Sequence, residues 1–265
     1  KPITYATLLS QGYSAAFPFL DVQTVFPGAE PSKPYIPVNY DGIFRGPMSM
    51  RKSLGNSLNI PAVKALSIVG IDNMIDMAEK MGISTFKDRT RYGLALTLGG
   101  GETTLLELTG AYSTFAAEGN FRSPTPLVEI KNSNDDVLYK WTDGAKRVLS
   151  KEVSFLIWDM LSDDGARSDA FGAGSLLNIK NHKVAVKTGT TDDKRDNYAM
   201  GFTPQLTVGV WVGNNDNSPI NKRTGIGLAA PIWRKIIDRL ISSEGKNSSL
   251  KASNTILSFE FLFKL

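Results

Sequence analysis

Two patterns of apolar residues divide the chain. Between Met48 and Met81 they recur at helical spacing. Met48 to Gly55 predicts one short helix. A second opens at Pro61, since proline suits a first helical residue, carries Ala62, Val63, Leu66 and Val69, and stops at Gly70. Asp72 caps a third, which runs to Met81 with Gly82 beyond its end. Asn56-Ser57-Leu58-Asn59 is left as a polar turn between the first two helices. Past Gly99 to Gly101, Leu105, Leu108, Tyr112 and Phe115 share one face of a further helix. Ahead of this block a short apolar segment, Ile3 to Leu9, ends at Gly12. Pro18, Pro27, Pro31, Pro34, Pro37 and Pro47 then predict an extended, surface-hugging connection, not a core.

The second half alternates instead. Leu127 to Lys131 and Val137 to Trp141 flank Asn132-Ser133-Asn134-Asp135-Asp136 and predict a hairpin. Ser150 caps a helix through Ser162. Three strands follow, Lys183 to Thr188, Tyr198 to Phe202 and Thr207 to Val212, the last two antiparallel across the Thr203-Pro204-Gln205 turn. In the last, Val208, Val210 and Val212 oppose Gly209, Trp211 and Gly213. Pro231 opens a final helix with Ile232, Ile236, Ile237 and Leu240 inward. The expected fold is α/β of the α+β type, an antiparallel sheet flanked by helices plus a helical subdomain. Residues 1–242 form one domain and 243–265 a tail. In that tail Leu257, Phe259, Phe261 and Phe263 are spaced as in a strand, which suits a sheet edge, another domain's surface or a partly ordered terminus.

Composition narrows the function. With 265 residues, 42% hydrophobic and 21% charged, the chain is neither disordered, collagenous nor coiled coil. The net charge of +4 is spread without a basic block, which argues against nucleic acid and suits an anionic substrate. The chain has no cysteine, and no apolar run is long enough to span a membrane.

One histidine, His182, is present, and no Gly-x-Ser-x-Gly elbow accompanies it; it reads as an exposed residue entering a strand. No metal-ligand spacing occurs, so neither metal nor other cofactor is expected. Gly99 to Gly101 leads into Glu102-Thr103-Thr104, a turn before a helix and not a phosphate loop. The remaining candidate is Lys187-Thr188-Gly189-Thr190-Thr191, which closes the apolar strand Val184-Ala185-Val186 and precedes the polar run 192–196. Lys187 offers charge and Thr188 and Thr190 offer hydroxyls to a carboxylate, while Gly189 allows close backbone approach. A basic residue at a strand end before a turn is the plain alternative.

The surroundings favour chemistry. Lys-Thr-Gly-Thr on a strand and Ser57-x-Asn59 between helices are two of the three motifs of penicillin-binding proteins and serine β-lactamases. Leu54-Gly55-Asn56-Ser57-Leu58-Asn59-Ile60-Pro61-Ala62-Val63 closely resembles the second motif of class A (high-molecular-mass) penicillin-binding proteins. So do Gly101 to Tyr112 and Lys187 to Gly213, with Asp196-Asn197-Tyr198, Gly201-Phe202-Thr203-Pro204 and Val210-Trp211-Val212-Gly213-Asn214. The resemblance covers roughly 1–240. Lys1-Pro2-Ile3-Thr4-Tyr5 is similar to the continuation of the third motif, Ser-x-x-Lys. Lys1 is then its lysine, and its nucleophilic serine is expected three residues upstream of the given chain. Ser10 and Ser14 lack a lysine three residues on, so neither replaces it.

The resemblance implies a serine D,D-transpeptidase that cross-links peptidoglycan stem peptides through an acyl-enzyme and is acylated by β-lactams, the chain as written being inactive without its serine. Lys1 removes the serine's proton, helped by the charge of Lys187. Ser57 relays a proton to the leaving D-alanine, and Asn59 binds the substrate amide. Lys187, Thr188 and Thr190 hold the terminal carboxylate of D-Ala-D-Ala beside Gly189, and the Thr190 N–H forms half an oxyanion hole. Glu102-Thr103-Thr104-Leu105-Leu106 lacks the asparagine of a deacylating Glu-x-x-Leu-Asn, which disfavours a β-lactamase. A D,D-carboxypeptidase and a non-catalytic module of the same fold remain alternatives. The expected location is the extracytoplasmic face of a bacterial membrane, with any anchor and any glycosyltransferase domain upstream.

Overall fold

A computed structural model describes residues 1–30, 32–191, 195–220, 226–244 and 255–262. Pro31, residues 192–194 and Phe263 therefore lie outside the described residues. Lys1 stands at the N-cap of α1 (Pro2–Ser10), in which every residue from Pro2 to Leu9 is buried. A helix buried on all sides belongs at the centre of a domain. Around it stand α2 (Met50–Gly55), α3 (Asn59–Val69), α4 (Ile71–Lys80) and α6 (Lys151–Ser162), and α5 (Leu105–Ala116) packs against α6. Thr104 and Ser150 cap α5 and α6 by accepting from the Glu107 and Val153 N–H groups.

Two helix starts differ from expectation for one reason. Asn59, not Pro61, begins α3, and Ala229, not Pro231, begins α7 (Ala229–Glu244). Both prolines are third in their helices, where an N–H has no intrahelical partner, so its absence costs nothing. α4 begins at Ile71, with Asp72 in its first turn and Gly70 at its N-cap.

The proline-rich stretch also departs from expectation. β1 (Pro18–Asp21) pairs antiparallel with β2 (Gly46–Ser49), and Phe26–Glu30 pairs with Lys33–Tyr35. Met48 and Ser49 thus belong to a strand, and α2 starts at Met50. Two-stranded ladders consist of edges only, so prolines at their outward positions are tolerated. Phe19, Phe26, Asp21 and Asn39 are buried, so this segment contributes to the interior.

β3 (Glu129–Lys131) and β4 (Val137–Lys140) form the expected hairpin. The main sheet contains β5 (Ala185–Thr190), β6 (Asp196–Phe202), β7 (Leu206–Gly213) and β8 (Thr255–Leu262) in the order β8-β7-β6-β5. β5 is shifted by two residues from the expected Lys183 to Thr188, starting at Ala185 and ending at Thr190, and β6 extends back to Asp196. The tail supplies β8, which runs parallel to β7 from Leu206 opposite Thr255 to Gly213 opposite Leu262.

Glycines set how closely helices approach the sheet. A Cβ on Gly201 would lie 2.2 Å from the ring of Trp233 on α7, and one on Gly209 would lie 2.1 Å from Thr109 Oγ1 on α5. Val208, Val210 and Val212 join Trp233 and Ile237 in one core, while Ala185, Met200 and Phe202 join α1 and α5 in the other. β5 is one of the two edge strands of this sheet among the described residues, and it packs against α6 of the helical half. Its placement brings the Lys187 segment to the α2–α3 turn.

Candidate active site

Ser57 sits in the turn between α2 and α3 with φ of +57°. A left-handed conformation costs a non-glycine residue roughly 1–2 kcal/mol, which the surroundings must offset. Neighbours on both sides hold it there. The Ser57 and Leu58 N–H groups donate to Leu54 and Ser53 carbonyls, and Leu58 is buried. Asn56 donates from Nδ2 to the Lys52 and Ala166 carbonyls at 3.0 and 2.8 Å and accepts from the Ala170 N–H at 2.9 Å. Gly55 lets that strap approach, since a Cβ there would lie 3.0 Å from Ala166 O.

Two lysines converge on this turn. Lys1 Nζ, from the start of α1, donates to Ser57 O at 2.7 Å, Ser57 Oγ at 3.3 Å and Asn59 Oδ1 at 2.6 Å. Lys187 Nζ, from β5, donates to Ser57 Oγ at 2.7 Å and to the Thr188 carbonyl. Ser57 Oγ therefore accepts from both and keeps its own hydrogen to donate. Burial, and then the charge of Lys187, hold the Lys1 ammonium well below the ordinary lysine range. Burial, then the Arg167 guanidinium, lower Lys187 to about 8. Desolvation thus outranks like-charge repulsion for Lys1, whereas the sequence suggested the repulsion alone.

Asn59 opens α3. Its Nδ2 donates to the Val38 carbonyl at 2.8 Å while Oδ1 faces Lys1. Thr188, Gly189 and Thr190 are half-buried at the end of β5. The Thr191 N–H donates to Asp196 O toward β6. By the alternation of an antiparallel ladder, Thr188 and Thr190 then turn their backbone N–H and C=O toward the outer edge of the sheet. Gly189 faces Tyr198, whose Cβ would lie 3.4 Å from a Cβ at that position.

Lys1, Ser57, Asn59 and Lys187 are joined in one hydrogen-bonded group, with Thr188 to Thr190 continuing the strand beside it. His182 is exposed. Among the described residues no three His, Cys, Asp or Glu side chains are placed to hold a metal ion. Sequence reasoning missed Asn39 and Arg167, and placed Asn56 in the turn without giving it a role. Arg167 is 3% exposed, donates from Nη2 to Leu161 O at 2.9 Å and has Nε 3.8 Å from Asp164 Oδ1. None of the three lies in a periodic or charge pattern that singles it out.

A serine held between two lysines, at the junction of a helical half and a sheet edge, is the candidate active site. The penicillin binding protein transpeptidase domain model matches residues 1–238, and the chain belongs to that family. It is 34% identical over 250 residues to penicillin-binding protein 1A of Aquifex aeolicus, covering 92% of this chain and 33% of that protein. The crystal structure of penicillin-binding protein 1A from Haemophilus influenzae superposes with a TM-score of 0.78 at 24% identity, covering 97% of this chain and 43% of that one. PonA1 from Mycobacterium tuberculosis, solved in complex with penicillin V, gives 0.72 at 18% identity, covering 96% and 69%. The chain spans 25–33% of the length of the first curated relatives it matches. Among the described residues no helix is long and apolar enough to cross a membrane.

Proposed function

We propose that this domain is a serine D,D-transpeptidase of the class A type, acting on peptidoglycan stem peptides ending in D-Ala-D-Ala and acylated by β-lactams. The observation that carries the reading is the convergence of Lys1 and Lys187 on Ser57 Oγ, at 3.3 and 2.7 Å. The nucleophile in this scheme is a serine three positions before Lys1 in the longer protein. A depressed pKa favours the neutral form of Lys1, so its Nζ takes the serine's proton as the oxygen attacks the penultimate carbonyl. The tetrahedral oxyanion meets the outward Thr190 N–H and the serine's own N–H. The proton passes through Ser57 to the departing D-alanine nitrogen. Asn59 steadies the Lys1 ammonium and presents its amide to the substrate. Lys187, Thr188 and Thr190 bind the terminal carboxylate. An amine of a second stem peptide then attacks the ester. Such a substrate lies outside the cytoplasm, so the domain acts at the extracytoplasmic face of the membrane.

The test is to give the full-length protein a donor ending in D-Ala-D-Ala, with and without an acceptor amine. Release of D-alanine coupled to cross-linked product supports the transpeptidase. D-alanine with hydrolysed donor only supports a D,D-carboxypeptidase. Neither product from a folded protein supports a non-catalytic module.

A further inference from the structure

Asp21, at the end of β1, is fully buried, and Asn39 is 3% exposed. Asn39 Nδ2 donates to both Asp21 carboxylate oxygens at 2.9 Å and to the Ile43 carbonyl at 2.8 Å, and the Arg45 N–H donates to Asp21 Oδ2 at 3.0 Å. This grip fixes the other end of the amide. Asn39 Oδ1 accepts from the Asn59 N–H at 2.8 Å and from the Ile60 N–H at 3.5 Å. Leu58, at the N-cap of α3, has no side chain to serve those orphan donors. Asn39, 20 positions earlier, caps the helix in its place. Its neighbour Val38 accepts from Asn59 Nδ2 at 2.8 Å. One loop thus holds Asn59 by main chain and side chain, and leaves Oδ1 to meet Lys1. The buried Tyr5 hydroxyl, one turn along α1 from Lys1, is raised by burial and then by the Asp21 charge.

We infer that Asn39, anchored on the buried Asp21 carboxylate, is a positioning residue that sets where Asn59 faces Lys1. The inference rests on the proposed reading of Asn59 as a site residue. A displacement of about 1 Å in such a group costs on the order of 100-fold in rate. Loss of the Asn39 amide shifts the first residue of a helix and not the reacting atoms themselves, so Asn39→Ala slows acylation by roughly tenfold to a hundredfold.

The test is a double-mutant cycle in the full-length protein, reading the acylation rate with a fluorescent penicillin for Asn39→Ala, Asn59→Ala and both together. If Asn39 acts through Asn59, the double variant is slower than Asn59→Ala by no more than about twofold. A merely structural role slows both backgrounds by the same factor, and that result, or no effect of Asn39→Ala alone, overturns the inference while the site stands. If Asn59→Ala leaves acylation unchanged, the site reading beneath it fails as well. Should Asn39→Ala not fold, Asn39→Ser takes its place in the same cycle, since its hydroxyl is small and still accepts a hydrogen bond.

Discussion

Lys187 Nζ lies 2.7 Å from Ser57 Oγ although the two residues are 130 positions apart. One comes from an edge strand of the main sheet and the other from a strained turn between helices, so the contact ties the two halves of the domain together at the place where Lys1 also arrives.

Charge at Lys187 is expected to contribute to the pH dependence of acylation. Its ammonium lowers the pKa of Lys1, which in the proposed mechanism serves as a base only when neutral. Lys187→Ala removes that charge and lets the Lys1 pKa rise. The rising limb of the acylation rate against pH then moves to higher pH, and the rate at pH 7 falls by about 10²–10³-fold as the carboxylate contact is lost as well. Stopped-flow acylation across pH checks both effects.

The same lysine leaves a signature in stability. An ordinary lysine titrates at 10.5, but this one titrates at about 8, so between those values the unfolded chain holds a proton that the folded chain has lost. Stability contributed by this group is fully present above 10.5 and is lost as pH falls through about 8. Urea titrations should therefore show stability rising from pH 8 toward 10.5, and Lys187→Met should flatten that rise.

Backbone strain at Ser57 is separable from its hydroxyl. Ser57→Ala and Ser57→Gly both remove Oγ and should slow acylation alike. Glycine adopts a φ of +57° without the Cβ penalty, so Ser57→Gly should be the more stable of the two by about 1 kcal/mol. Equal stabilities would mean that the turn is not held in this conformation in solution.

Asn56 is expected to matter through the strap it makes and not through contact with the reacting group. Asn56→Ala leaves the Ala166 carbonyl without its partner and the Ala170 N–H with the Arg167 carbonyl alone, at a cost of about 1–3 kcal/mol by chemical denaturation. Gly201→Ala is the comparison on the opposite face of the sheet. It drives a methyl into Trp233 and should cost about 1–3 kcal/mol while leaving the Lys1–Ser57–Lys187 contacts in place.

Local pattern made much of the fold legible. Ser150 to Ser162, the hairpin around Asn132 to Asp136, and the valine alternation of β7 all have neighbours that reveal them, because capping and periodicity are properties of adjacent residues. Family motifs made Lys1, Ser57, Asn59 and Lys187 legible as candidates. Asn39, Asn56 and Asp21 were not, since each is a polar loop or strand-end residue whose partners lie elsewhere in the chain and leave no periodic trace. The interior role of the proline-rich segment was hidden for a related reason. Proline density tests for long regular ladders, and this segment uses two short ones.

The central claim is that the two-lysine turn serves a serine that forms an ester with penicillin. The most direct measurement is the intact mass of the full-length protein before and after penicillin, followed by peptide mapping. The account predicts one penicilloyl adduct, on a serine three positions before Lys1, strongly reduced in Lys187→Ala. A folded protein that gains no adduct, or gains it on a residue away from this site, would contradict it.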